Sequence, residues 1–132
     1  MKIIIAYPPM FRIINEAFHV KGKPILYAWG TKIYNPMGVE IAPEMMAHEE
    51  IHGIRQRQQG NLTTWWLDYT NDPEFRLAEE IPAHQAEYQH IIAGATSRNY
   101  RRAALKHVAK KLAAPLYGQL ISVEQAKKEL KR

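Results

Sequence analysis

The segment His48-Glu49-Glu50-Ile51-His52 constrains this chain more than any other, because its spacing fits one face of a helix. Residues four apart on a helix lie on the same face, about 6 Å from each other. At that distance the imidazoles of His48 and His52 can both bind one zinc ion, with bonds of about 2.0–2.1 Å. Glu49 points to one side of such an ion, where a carboxylate can take a proton from a bound water. The segment therefore predicts a hydrolytic zinc site with Glu49 as general base.

The helix that carries this motif has recognisable ends. Pro43 suits the first turn, where a backbone N–H has no helical partner, and Gly60-Asn61 is a typical C-terminal signal. A second helix is predicted from Asn71-Asp72-Pro73-Glu74 to about Ala93, because a capping side chain, a proline and an acid open it. Pro82 is expected to kink this helix or to split it in two.

Extended segments precede the motif helix, and further helices follow it. Residues 2–7 and 25–34 have the composition of strands, and residues 39–41 are a candidate return arm of a hairpin. A short amphipathic turn or helix is predicted at residues 62–70, and further helices at 101–114 and after the capping box Ser122–Gln125. Strands followed by a run of helices predict an α+β fold, with a small antiparallel or mixed sheet packed on a helical layer.

Length and composition limit the function classes. With 132 residues, the chain is expected to form one domain, residues 1–132, with a modest core. It has no cysteine, which excludes disulfides and thiolate zinc sites, so zinc must be held by histidine and carboxylate. No segment has the length of a signal peptide core or of a membrane span, and a soluble cytoplasmic protein is expected.

The net charge of +5 is unevenly distributed. Residues 98–132 contain ten lysines and arginines against two acids, a net charge of +8, whereas residues 1–97 carry −3. This basic C-terminal helical part has two interpretations: a solvated helix face, or a surface for an anionic partner such as nucleic acid or an acidic protein.

A catalytic zinc site needs a third protein ligand and keeps one position for water. The acids and histidines of the second predicted helix are the candidates, namely Glu79, Glu80, His84, Glu87 and His90. Of these, Glu80, His84 and Glu87 share one helix face.

The first motif, followed on the second helix by Glu80-Ile81-Pro82-Ala83-His84, resembles the small gluzincin metallopeptidases. In the related membrane-associated zincins, the glutamate of an E-x-x-A-D stretch is the third zinc ligand. The resemblance therefore implies Glu80 as ligand, with His84 in place of the aspartate. Residues 74–80, with Trp65-Trp66 before them, are also similar to compact bacteriophage and prophage proteins described as metallopeptidases. The resemblance covers about residues 24–92 and implies a zincin-like fold, bound Zn²⁺ and a peptide or protein substrate.

Two alternatives remain open at this point. His84 as third ligand would give a three-histidine site, similar to that of SprT-type metalloproteases, with the basic tail docking on nucleic acid. If Glu80 is the ligand, His84 is expected to orient it or to meet substrate. The other alternative is a structural zinc domain without turnover. If the protein is a peptidase, the oxyanion that forms during hydrolysis requires a further hydrogen-bond donor. The candidates are Arg76, Tyr88 and His84.

Overall fold

The computed structural model describes all 132 residues and has an α+β architecture, as the order of the predicted elements indicates. None of its helices combines the length and the apolar character needed to cross a lipid bilayer. The elements in chain order are β1 (Lys2–Ile4), α1 (Phe11–Phe18), β2 (Tyr27–Trp29), β3 (Lys32–Tyr34), α2 (Pro43–Gln59), α3 (Leu62–Asn71), α4 (Pro73–Ile92), α5 (Arg98–Leu112), a 3-10 turn (Pro115–Tyr117) and α6 (Val123–Leu130).

The three strands form one small mixed sheet in the order β1-β3-β2. β3 pairs in parallel with β1 and antiparallel with β2, and the β2–β3 hairpin turns at Gly30, whose φ of 64° suits glycine. The return arm predicted at residues 39–41 is wrong. The Asn35 side chain accepts a hydrogen bond from the Val39 N–H and donates one to the Val39 carbonyl, so this segment is a loop that leads into α2.

The two helices that carry the predicted site residues begin and end where local signals indicate. Pro43 opens α2, and Gly60 closes it with a φ of 93°. Asp72 caps α4 by accepting hydrogen bonds from the backbone N–H groups of Glu74 and Phe75. Of the two outcomes expected at Pro82, a kink or a split, the split does not occur, because α4 is continuous from Pro73 to Ile92. The proline removes one backbone hydrogen bond, while α2 contacts the helix on both sides of it, through Arg55 at Glu79 and through His48 at Glu87.

α2 is fixed to the β2–β3 hairpin by buried polar contacts. The Gln56 side chain accepts from the Gly30 N–H at 2.7 Å and donates to the Ala28 carbonyl at 3.0 Å. Gly53 allows this close approach, since a Cβ at that position would lie 2.3 Å from the Gly30 carbonyl oxygen. On its other side α2 packs along α4, and the Arg55 guanidinium binds the Glu79 carboxylate at 2.8 Å. The sheet therefore sets the position of α2, and α2 sets that of α4.

Two apolar clusters form the core. The first contains buried aromatic residues of α3 and β2 with two aliphatic residues, namely Ile14, Val20, Tyr27, Trp65, Trp66 and Tyr69. The second joins α4 to the C-terminal helices and contains Tyr88, Ala104, Leu105, Val108, Ala109, Leu112, Ala126 and Leu130. The apolar face of α5 is therefore packed against the rest of the protein, while its lysines and arginines lie mostly on the outside.

Candidate metal centre

The facing surfaces of α2 and α4 carry an unusual concentration of buried ionisable side chains. Each of them is no more than 6 % exposed: His48, Glu49 and His52 on α2, and Glu79, Glu80, His84 and Glu87 on α4. Charged groups are almost never buried in this way unless they are paired or bind a metal. The interface between these two helices is therefore the candidate functional site.

The ligand atoms of His48, His52 and Glu80 lie within 4.8 Å of one another. The Nε2 of His48 lies 3.4 Å from Oε1 of Glu80, and the Nε2 of His52 lies 3.3 Å from the same oxygen. A tetrahedral site with bonds of about 2.0–2.1 Å has edges of about 3.3–3.4 Å between ligand atoms. Two imidazole nitrogens and a carboxylate are also the donor types that zinc accepts. The spacing and the chemistry of this group fit zinc.

A carboxylate outside this group orients the first histidine. The Nδ1–H of His48 donates to Oε1 of Glu87 at 2.9 Å, which turns Nε2 towards Glu80. Glu87 is held in turn by Lys111 of α5, whose Nζ donates to Oε2 at 2.6 Å. Burial alone would raise the pKa of Glu87, but hydrogen bonds from His48 and Lys111 outweigh it and lower the pKa to about 2. Glu87 is therefore an anion that fixes the ring and the tautomer of His48.

Glu80 is itself held at both ends. The Tyr69 hydroxyl of α3 donates to Oε2 of its carboxylate, and the His84 Nδ1–H donates to its backbone carbonyl at 2.7 Å. Burial by itself would raise the pKa of Glu80, but His52 and His48 hold it well below its ordinary value. The carboxylate is therefore charged and kept in one orientation towards the two histidines of α2.

Without a metal, the cluster is an internal ion-pair network. Burial would lower the pKa of His48, yet its hydrogen bonds to Glu80 and Glu87 raise it to about 10. Burial and the nearby cationic His48 lower the pKa of His84 to about 4, so His84 is neutral. The Nδ1 of His52 and the Nε2 of His84 are buried without a hydrogen-bond partner. A metal that binds here has to displace the proton of His48.

A second group of ligand atoms, from His48, His84 and Glu87, is a poorer cation site. Its carboxylate is already bound to the Lys111 ammonium at 2.6 Å, and that positive charge repels a metal ion. His84 uses its Nδ1 to bind the Glu80 carbonyl, and its ring packs edge-on against His48. The structure thus brings Glu80, rather than His84, together with both histidines of the first motif.

Glu49 lines a cavity of about 360 Å³ that also borders His48, His52 and Glu80. Burial raises the pKa of the Glu49 carboxyl, and the neighbouring His48 and His52 oppose that rise. A raised pKa brings a carboxyl closer to the range in which it can take and return a proton near neutral pH. By contrast Glu50, the other acid of the motif, is exposed.

Tyr117, in the 3-10 turn after α5, lines the same cavity. Burial and the charges of Glu80, Glu49 and Glu87 raise its pKa well above the ordinary value, so its hydroxyl stays protonated and can donate. Arg76 lies behind this turn and donates to the Tyr117 carbonyl at 3.0 Å, as well as to the carbonyls of Tyr69 and Thr70.

The three side chains that the sequence offers as oxyanion donors do not line this cavity. Arg76 is bound to three backbone carbonyls, Tyr88 belongs to the second apolar cluster, and His84 is fully buried behind Glu80.

No protein-family model, curated protein or solved structure matches this chain.

Sequence reasoning missed the roles of four side chains. Glu87 carries a usable signal, because it lies two turns after Glu80 on the same face of α4. Tyr69 resembles any other buried aromatic residue of α3. Lys111 and Tyr117 belong to the basic C-terminal part, where no motif connects them to the histidines.

Proposed function

We propose that this chain is a zinc-dependent peptidase with a zincin-like fold, in which His48, His52 and Glu80 hold the metal and Glu49 is the general base. The observation that carries the proposal is the convergence of the Nε2 atoms of His48 and His52 on Oε1 of Glu80, at 3.4 and 3.3 Å, beside a cavity bordered by Glu49. A purely structural zinc site is closed by protein ligands, whereas this donor set leaves one position for water or substrate.

Zinc held by these residues would polarise a substrate carbonyl and lower the pKa of a water molecule towards neutrality. Glu49 takes the proton of the attacking water and returns it to the leaving amine, a role that suits a buried carboxylate at the border of the cavity. The Tyr117 hydroxyl donates a hydrogen bond to the oxyanion that develops on the substrate. Glu87 and Lys111 keep Nε2 of His48 directed at the metal, and Tyr69 does the same for Glu80.

Two adjacent glutamates of α2 provide a matched test. We expect Glu49→Gln to lower kcat against a mixed peptide library by roughly 10²–10⁴-fold while zinc content stays the same. Glu50→Gln, which changes an exposed side chain next to it, should leave both unchanged. If zinc-loaded wild type cleaves nothing in the library, or if Glu49→Gln cleaves as well as wild type, the peptidase proposal fails.

Metal analysis of wild type, Glu80→Ala and His84→Ala tests the ligand set separately. We expect zinc to be lost from Glu80→Ala and retained by His84→Ala. Loss of zinc from His84→Ala alone would contradict the assignment of Glu80 and would favour the three-histidine alternative. Zinc bound by wild type without any turnover would favour a structural site.

A second candidate function is docking on an anionic partner through the basic C-terminal part. Support comes from exposed basic side chains of α5 and α6 that have no acidic partner, namely Arg98, Arg102, Lys106, Lys110 and Lys128. We expect retention on double-stranded DNA at low salt, decreasing steeply as salt rises. The variant Arg102→Glu/Lys106→Glu should lose retention and Lys21→Glu/Lys23→Glu should keep it; no retention by wild type would exclude nucleic acid.

A further inference from the structure

The cavity beside the candidate metal centre is lined mostly by apolar side chains. Sixteen of its 23 lining residues are hydrophobic, and its volume is about 360 Å³. His48, Glu49, His52 and Glu80 border it on one side. Most of its wall comes from the first apolar cluster, from residues 24–28 at and before the start of β2, and from the loop 39–42.

The volume sets the size of the occupant. An apolar protein cavity of about 150 Å³ is enough to hold a benzene ring, and small-molecule pockets begin at about 300 Å³. At about 360 Å³, this cavity has room for one bulky side chain in addition to the backbone atoms that reach the metal centre. It has no room for a long folded segment.

The charges of the lining exclude a charged occupant. Beyond the metal centre itself, the ionised side chains of the lining are Glu40 and Lys111. Glu40 is exposed at its edge, and the Lys111 ammonium is already bound to Glu87 at 2.6 Å. Tyr27 adds only a neutral hydroxyl, because burial raises its pKa to about 12. A substrate acid or base placed here would be buried without a partner, which is costly.

We infer that this cavity takes a bulky apolar side chain of the substrate, such as leucine, methionine or phenylalanine, at a position adjacent to the bond that is cleaved. The cleavage part of this inference rests on the proposed function, whereas binding of the side chain does not. Glu49 and Tyr117 border the cavity, so a side chain seated in it brings the neighbouring backbone carbonyl to the reacting groups.

Cleavage of a matched peptide series measures the preference. The peptides differ at one position next to the scissile bond, with phenylalanine, leucine, glycine, aspartate or lysine there. We expect kcat/KM for the phenylalanine and leucine peptides to exceed kcat/KM for the glycine peptide at least about tenfold. The aspartate and lysine peptides should be cleaved less efficiently still. Cleavage with equal kcat/KM across the series would overturn the inference while leaving the peptidase proposal intact.

Ile41 offers a variant that changes the cavity and spares the core. It is half-buried in the loop before α2 and belongs to neither apolar cluster. We expect Ile41→Asp to lower kcat/KM for the phenylalanine peptide at least about tenfold and to change the glycine peptide little. Ile54→Asp, at an exposed position of α2 outside the cavity, is the matched control and should behave as wild type.

Binding can be measured without turnover. N-acetyl-phenylalaninamide is titrated into the purified protein, and the indole N–H resonances of its three tryptophans are followed by NMR. Trp65 and Trp66 line the cavity and should shift, whereas Trp29 lies outside its lining and should not. N-acetyl-aspartic acid amide should shift none of them. If N-acetyl-phenylalaninamide shifts the resonances of Trp65 and Trp66 while no peptide is cleaved, binding of an apolar side chain in the cavity is supported and the peptidase proposal fails. If it shifts neither resonance, the inference about the cavity is overturned.

Discussion

Replacing Glu87 with glutamine separates its effect on the proposed metal centre from its effect on the general stability of the protein. In wild type the Glu87 carboxylate accepts from the Nδ1–H of His48 at 2.9 Å and from Lys111 at 2.6 Å. Both donors point at one side chain with two acceptor oxygens. A glutamine has the same shape but one acceptor oxygen and an NH₂ group, so it can serve only one of the two donors.

The magnitude follows from these contacts. If the amide oxygen serves Lys111, its NH₂ group faces the Nδ1–H of His48 and disfavours the required tautomer. If it serves His48, the acceptor has lost its negative charge. A metal-ligating histidine usually donates its second ring N–H to a hydrogen-bond acceptor, and removing that acceptor typically lowers metal affinity by about 10–100-fold. This corresponds to about 1.4–2.7 kcal/mol. We expect Glu87→Gln to raise the Kd for zinc by that factor.

Glu79→Gln is the matched control, because Glu79 is also a buried glutamate of α4 with two partners. Its carboxylate binds Arg55 and the indole N–H of Trp65, on a side of the helix away from His48. Both variants should lose about 1–3 kcal/mol of unfolding free energy in the metal-free form. Zinc affinity is measured by competition with a chromophoric chelator at neutral pH. The reasoning is refuted if Glu87→Gln retains wild-type affinity, or if Glu79→Gln weakens zinc binding equally.

Three further outcomes are expected. Gly53→Ala should lower the unfolding free energy by about 1–3 kcal/mol in denaturant titrations, because its Cβ would lie 2.3 Å from the Gly30 carbonyl oxygen; unchanged stability would mean that α2 is not fixed to the hairpin there. Tyr69→Phe should raise the Kd for zinc by roughly tenfold, since the Glu80 carboxylate loses the hydroxyl that orients it; an unchanged Kd would show that this contact is dispensable. In the metal-free protein the lowered pKa of Glu87, about 2 against 4.5, contributes stability that is present above pH 4.5 and lost as pH falls through 2. The stability difference between wild type and Glu87→Gln should therefore shrink by at most about 3 kcal/mol from pH 5 to pH 2; a constant difference would contradict the ionised state of Glu87.

Signals confined to one helical turn predicted the elements that carry the site. Pro43 and Gly60 define the ends of α2, and the Asp72 cap defines the start of α4, because each acts on backbone groups next to it. The hairpin was predicted less well. The side chain of Asn35 binds the backbone of Val39 and prevents a strand there, a competition that strand propensity does not register.

The sequence limited the third ligand of the proposed zinc site to a few candidates but did not fully rank them. Helical periodicity places Glu80, His84 and Glu87 on one face, and each is a chemically acceptable partner for two histidines. Their ranking depends on the register of α4 against α2, which packing between the two helices sets, with the Arg55–Glu79 ion pair at 2.8 Å as one of its contacts.

By itself the sequence determined that His48, Glu49 and His52 share a helix, because the spacing of side chains along a helix is local. Only the tertiary structure decided which carboxylate meets which nitrogen. The pairs His52–Glu80, His48–Glu87 and Lys111–Glu87 are 28, 39 and 24 residues apart in sequence, and packing of separate helices brings each together. The same packing brings Lys111 and Tyr117 of the basic C-terminal part to the cavity, where no sequence motif predicts them.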